Sequence, residues 1–421
     1  MAVAAEAGIQ NNVAVSGAGD KKNVAVIGAG DRKNVAVIGA GIAGLCCATA
    51  LQAAGYRVSV FEKSRGAGGR MSTRRGGGEQ ATGILTPTWH CDHGSPWFDA
   101  GSAAFQAEVA HWCNAGVAAP WSPLMPVTNA TAATSNIATT SNIAATSYIA
   151  ATAYIAATSN IAATAATATT VTTAAVGARF VGVPHMTSPA AFLAGSLQLT
   201  CQTTIVGFER HGNHWQLLSA ERGLLADHFD AVLLAMPAPQ AVPLLSRAAA
   251  ELSEPTVSSN VLAMAAIAAA TTVRATWVLM LQFDSPVTMP FDARACGEGP
   301  LQLVVHNSAK PGRFGLDSWV IHASPNWSEA HLEEPPEVVV AALLAAFKAL
   351  GGPDPQSWTA HRWRYAATDF TTATGAVWDE SAQLGLCGDW MNGGTVEAAW
   401  QSGQQLARQM MGQSKSSSEK P

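Results

Sequence analysis

A chain of 421 residues is longer than one hydrophobic core usually supports, so two domains with additions are expected. Hydrophobic residues make up 48% and charged residues 13%, which reads as globular; a net charge of −5 without a Lys/Arg block argues against a nucleic-acid or anionic-membrane partner. Seven cysteines, odd in number and irregularly spaced, argue against a disulfide framework and for a reducing, cytoplasmic setting.

The N-terminus MAVAAEAGIQ has no basic stretch leading into an apolar run, so it does not read as a secretory signal. Residues 12–45 then spell the opening of a dinucleotide-binding fold three times at an eleven-residue period. In the first two copies Asp and Lys or Arg follow GAG, where a helix should begin. Only the third continues as Gly39-Ala40-Gly41-Ile42-Ala43-Gly44 into the apolar run LCCATALQAAG, which supplies strand, tight turn and helix together. Residues 1–33 are therefore expected to be a non-functional tandem expansion, disordered or loosely paired. The identical NVAV of each copy could compete for one strand position, and only the third copy brings a helix to cover the sheet.

A second strand, Tyr56-Arg-Val-Ser-Val-Phe, ends at Glu62, 23 residues beyond Gly39, where a βαβ unit presents an acid to a ribose 2′-hydroxyl. The glycines allow a pyrophosphate to approach the helix N-terminus. A 2′-phosphate would be repelled by Glu62, so adenosine with a free ribose is favoured. A further loop follows at once, Lys63-Ser-Arg65-Gly-Ala-Gly68-Gly69-Arg70. A glycine doublet flanked by arginines suits a longer cofactor, and a nicotinamide dehydrogenase has no need of it.

His90-Cys91-Asp92-His93 looks like a metal cluster, but no second ligand pair stands at a zinc spacing, so no metal site is expected. In the stretch 127–176, isoleucines 137, 143, 149, 155 and 161 recur every six residues. That period scatters them around an α-helix and keeps them on one face of a strand. No Asp, Glu, Lys or Arg occurs between 109 and 178. The segment reads as a low-complexity insertion, with an ordered β element or partner surface as the alternative. The longest apolar stretch, VLAMAAIAAATTV (261–273), is too short to span a bilayer.

The glycine doublet after the acid resembles that of the flavin-containing amine oxidase and phytoene desaturase superfamily, which implies FAD. The blocks CDHGSPWFDAGSAAF (91–105), RFVGVPHM (179–186), FDAVLLAMPAPQ (229–240), HNSAKPGR (306–313), VIHASPNWS (320–328), HRWRYA (361–366) and LCGDWMNGGTVEAAWQSG (386–403) resemble, in order, those of renalase-like FAD-dependent oxidoreductases. Apart from the repeats and the tail, the resemblance covers most of 34–412. It implies an α/β chain, α+β overall, with a Rossmann-like FAD-binding domain and a second, sheet-based substrate domain. The FAD domain is expected at 34–90, 177–245 and 380–412, the substrate domain at 91–126 and 246–379, the insertion at 127–176 and a disordered tail at 413–421.

The resemblance places Gly39, Gly41, Ile42, Ala43, Gly44, Glu62, Lys63, Gly69 and Arg70 at the cofactor. It assigns Ile205 to the adenine, Phe229–Pro237 to the returning strand, and Gly388-Asp389 to the ribityl–phosphate region. Gly393-Gly394-Thr395, before a helix starting at Val396, would aim N–H groups at the flavin's pyrimidine edge. FAD is expected to be non-covalent, Cys387 being a conceivable attachment point. Near the ring, Lys310 is either a cation beside N5 or an exposed turn lysine; His322 orients a substrate carbonyl or satisfies a core group. Trp363, Arg364 and Tyr365 either cover the flavin or simply pack, and the block containing His93 and Trp97 lies near it. With tyrosines only at 56, 148, 154 and 365, a paired-tyrosine amine cage is not available.

The resemblance implies hydride transfer to flavin N5 from a small molecule, a dihydronicotinamide dinucleotide above others, with dioxygen as acceptor. An amine oxidase or desaturase for a larger apolar substrate is the alternative, and a catalytically dead dinucleotide-binding protein the alternative of another class. One departure is Ala275, where the family usually has a proline before the tryptophan; with the insertion, it bears on substrate choice rather than on the cofactor.

Overall fold

The computed structural model describes residues 33–79, 85–126, 178–369 and 374–412. The expectations for 1–32, 127–176 and 413–421 lie outside the described residues. The chain has the expected α/β architecture, a Rossmann-like domain and a second sheet.

The strand Asn34–Ile38 from the third glycine copy sits inside a six-stranded sheet. Its neighbours are Arg57–Phe61 and Ala231–Leu234, both parallel, with Val37 opposite Val60 on one side and Leu233 on the other. Gln198–Thr200 extends one edge, Leu384–Cys387 and then the antiparallel Ala376–Asp379 the other. The central strands are apolar at nearly every position because both faces are covered. Val35 and Val37 face one core and Ala36 and Ile38 another, as strand alternation requires.

On the first face lie the helix Ile42–Ala53 and the C-terminal helix Val396–Met410, so close that a Cβ on Gly403 would stand 2.1 Å from the Ala43 carbonyl oxygen. On the second face lie the helices Ala238–Glu251 and Pro255–Ala269 and an antiparallel three-stranded sheet, Ile205–His211, His214–Ser219 and Gly223–Phe229.

The second large sheet is antiparallel, in the order Ala293–Ala295, Leu301–His306, Asp317–Ala323, Thr272–Phe283, Ser357–Asp369. The helix Pro336–Ala349 packs Leu343 and Phe347 on one face around Trp319. On the other, Val278, Met280 and Val320 meet Cys91 of the ribbon Thr73–Glu79/Leu85–Asp92. Ser357–Asp369 is an edge strand with a bulge: Thr276 faces Trp363 while Arg274 faces Ala367, so residues 364–366 oppose a single partner residue.

Two segments sit differently from the expected division. The helix Ala103–Asn114, expected with the substrate domain, packs in the core of the glycine helix, with Phe105 5.5 Å from Trp400 between ring centroids. Its three buried side chains Phe105, Val109 and Trp112 are large enough to cover the outer flank of the C-terminal helix. Ala376–Asp379 belongs to the six-stranded sheet, because it is the hairpin partner of Leu384–Cys387. Among the described residues no helix is long and apolar enough to cross a membrane.

Candidate functional site

Four parallel strands end at one cleft of about 1000 Å³, and each contributes the residues directly after its carboxyl end: Gly39, Glu62, Ala235 and Gly388. Ligands of open α/β sheets bind at such ends. Gly39 has φ +110°, and a Cβ there would lie 2.4 Å from the Ala235 carbonyl oxygen, so only glycine turns the chain here. Gly44 seats the helix on the sheet and does not line the cleft; a Cβ on it would meet the Gly39 oxygen at 2.1 Å and the Ala235 Cβ at 2.9 Å.

Gly41 caps the helix without a side chain, and a Cβ on it would meet nothing within 4 Å. The second glycine turn closes over the first, with Gly68 N donating to Ala40 O at 2.9 Å. Two turns of bare backbone thus face a helix N-terminus, the cradle a pyrophosphate needs.

Glu62 is buried, and both its oxygens accept from backbone, Ala40 N and Ser64 N at 2.8 Å each. The carboxylate keeps further lone pairs for a hydroxyl. Arg70 ion-pairs with Asp389, 319 positions away, joining the second glycine turn to the C-terminal motif. Its backbone is clamped as well: Ser95 N donates to Arg70 O at 2.7 Å, and a Cβ on Gly94 would stand 1.9 Å from that oxygen. Asp389 also accepts from Trp390 N at 2.8 Å and, through its carbonyl, from Gly394 N at 2.9 Å. Thr395 caps the C-terminal helix by accepting from Ala398 N at 3.0 Å.

Of the cofactor residues named from the sequence, Gly39, Gly41, Ile42, Ala43, Glu62, Lys63, Gly69, Arg70, Ile205, Gly388, Asp389, Gly394, Thr395 and Val396 line the cleft, and Gly44 and Gly393 do not. The bulged edge strand also reaches the cleft, where residues 362–366 line it together with Thr276. Trp363 donates from Nε1 to His93 O at 2.8 Å and stacks on the His93 ring at 5.4 Å. Burial, with His361 and Arg74 nearby, pushes His93 down to about 4.

The structure brings Trp363 and Tyr365 to the cleft and leaves Lys310 and His322 out of its lining. Lys310 is no exposed turn lysine either. Its side chain is wholly buried, with Nζ 2.9 Å from Asp92 and 5.7 Å above the Trp121 ring. Arg313 reaches the same Asp92 oxygen at 2.5 Å. Burial alone would raise the Asp92 carboxyl; Lys310 and Arg313 outweigh it and hold it well below the usual range. His322 is fully buried in a central strand, and burial beside Lys310 pushes it down to about 3. Trp97 packs on Trp121 in the core. Cys387 is turned into the core, its thiol hydrogen-bonded to Cys47, which with burial raises the Cys47 thiol.

Sequence reasoning gave no role to Arg362, Pro239, Gln240, Pro243 and Leu244, and placed Met236 and Pro237 only at the end of the returning strand. The proline-rich run after the strand at 231–234 was the available signal.

A sequence profile described as flavin containing amine oxidoreductase matches residues 186–411, and one described as an NAD(P)-binding Rossmann-like domain matches 37–113. The chain belongs to the flavin containing amine oxidoreductase family. It is an oxidoreductase whose cofactor is FAD. Among solved structures it is similar to cyclohexylamine oxidase from Brevibacterium oxydans IH-35A, at 14% identity, TM-score 0.58, over 90% of this chain and 99% of that one. It is likewise similar to putrescine oxidase bound to putrescine, at 14% identity, TM-score 0.56, over 90% and 99%. At these identities the likeness is one of fold.

Proposed function

We infer that this flavoenzyme oxidises a flat dihydronicotinamide, as part of a dinucleotide, with dioxygen as the electron acceptor. The reading rests on the bulged edge strand, where Trp363 and Tyr365 reach the cleft and Tyr365 is the one tyrosine among the described residues lining it. Such a lining suits stacking on a planar ring better than caging a protonated amine. Bound FAD would supply the redox chemistry, as hydride acceptor from the substrate and two-electron donor to dioxygen. Glu62 would hold the adenosine ribose, the paired glycine turns the pyrophosphate, and Arg70 with Asp389 the linkage towards the flavin. Trp363, fixed by its bond to the His93 carbonyl, would orient the substrate ring, and the buried sheet behind it excludes water.

The amine substrates named for the similar oxidases are the second reading, favoured by the apolar run Pro237–Leu244 along the cleft. Anaerobic mixing of the holoenzyme with isomers of reduced nicotinamide dinucleotide, beside cyclohexylamine and putrescine, separates the two. Bleaching of the flavin absorbance by a dihydronicotinamide and not by the amines is expected; the reverse pattern overturns the reading. A holoenzyme that no reductant of either class bleaches would overturn both substrate readings.

A further inference from the structure

The charges lining the cleft are unevenly shared along it. Its cations are Lys63, Arg70, Arg362 and Arg364, and its carboxylates Glu62 and Asp389. Both acids lie at the end of the parallel sheet and are engaged, Glu62 by two backbone N–H groups and Asp389 by Arg70. The strand segment 362–366 therefore adds two arginines and no acid to the lining.

Those two groups already grip a carboxylate. Arg364 holds Glu333 through both terminal nitrogens, at 2.6 and 3.0 Å, and Arg362 Nη1 reaches Glu333 Oε2 at 3.0 Å. Arg362 is itself braced, lying on the Trp277 ring at 5.5 Å and donating to Leu332 O at 2.5 Å. Glu333 sits in the connection between the helices Pro325–Ala330 and Pro336–Ala349, and its side chain is 67% exposed. Hydrogen bonding to Arg364, with Arg362 nearby, lowers its carboxyl below the usual range. Exposed pairs of this kind are weak and exchangeable. A fork of guanidinium groups spaced for one carboxylate also fits a phosphate, which offers more charge and more acceptors.

We propose that Arg362 and Arg364 form the anion-recognition fork of the substrate cleft, with Glu333 as a placeholder that a substrate phosphate or carboxylate displaces. The proposal deepens the dinucleotide reading and rests on it for the ring chemistry, the pyrophosphate linkage being the anion meant. A protonated amine would meet two guanidinium groups there, with the one carboxylate beside them, Glu333, already engaged.

Calorimetric titration of the FAD-loaded enzyme with inorganic pyrophosphate tests the fork without turnover. We expect binding to weaken roughly ten- to hundredfold in Arg364→Gln, as loss of charge-assisted hydrogen bonds implies. Glu333→Gln should shift it the opposite way, to tighter binding, which a damaged fold would not produce. Absence of binding to the wild-type enzyme, or equal affinity in Arg362→Gln/Arg364→Gln, overturns the proposal. So does weaker binding in Glu333→Gln.

Flavin reduction by the dinucleotide, compared with an uncharged N-propyl dihydronicotinamide, separates this idea from the one beneath it. If both compounds reduce the flavin while pyrophosphate ignores the arginines, the ring chemistry stands and the fork falls. If neither does while pyrophosphate affinity follows the arginines, the fork stands and the ring chemistry falls.

Discussion

Asp92 carries one negative charge between Lys310 and Arg313, and all three side chains are buried. Its second oxygen accepts from Thr73 Oγ1 at 2.7 Å and Met186 N at 3.2 Å, so one carboxylate ties four chain segments together. Asp92→Asn leaves two buried cations without a counter-charge. We expect it to cost about 3–5 kcal/mol, read from urea unfolding of the FAD-loaded protein. This role was not legible in the sequence: Asp92 and Lys310 are 218 positions apart, and Lys310 precedes Pro311-Gly312, the usual mark of an exposed turn. The glycine motif, in contrast, was legible almost residue by residue, because its constraints are local. Gly44→Ala should push the helix off the sheet at 2.1 Å and 2.9 Å contacts. The expected result is a destabilised protein that purifies without flavin absorbance, at a strain of about 1–3 kcal/mol.

At the scale of elements, the bulged strand Ser357–Asp369 does what no strand pattern announces. Its alternation reads as ordinary packing, and the two extra residues show only once the register with Thr272–Phe283 is known. Residues 364–366, the irregular segment, line the cleft, and Tyr365 among them was noticed only through a resemblance. Behind this strand, His93 and His322 titrate at about 4 and about 3 in the fold. An unfolded histidine takes up its proton near pH 6.5. Stability from these neutral imidazoles is thus complete above about pH 6.5 and is lost as pH falls, through about 4 for His93 and about 3 for His322. Denaturation midpoints measured down this range should fall, with His185, which burial also pushes down to about 4, adding to the slope, and His93→Asn should remove about one proton from it.

For the whole molecule, the six-stranded sheet is collected from the start, middle and end of the chain. The first βαβ unit was legible because strand, glycine turn, helix and acid follow each other within 34–62. Which later strands join it was legible only at Phe229–Pro237 and at the Gly388-Asp389 motif. The assignment of Ala103–Asn114 and Ala376–Asp379 depended on large side chains and a hairpin partner that spacing does not reveal. Since the cleft is lined by residues from Ile38 to Ala399, FAD binding there should stabilise the fold as a unit. At a free concentration a hundred times Kd the gain is about 2.7 kcal/mol, visible as a melting temperature that rises with added FAD.

The strand Ala231–Leu234 has one permanent neighbour that is made before it and another, Leu384–Cys387, that is made long after. While the ribosome adds the intervening residues, about 150 of them, an apolar sheet edge that is wholly buried in the finished protein stands open. At ordinary synthesis rates that interval is on the order of ten seconds or more. Slowing translation over 235–383 should therefore lower the yield of folded flavoprotein in a cell, measured as flavin absorbance per protein made, even though the mature fold is untouched.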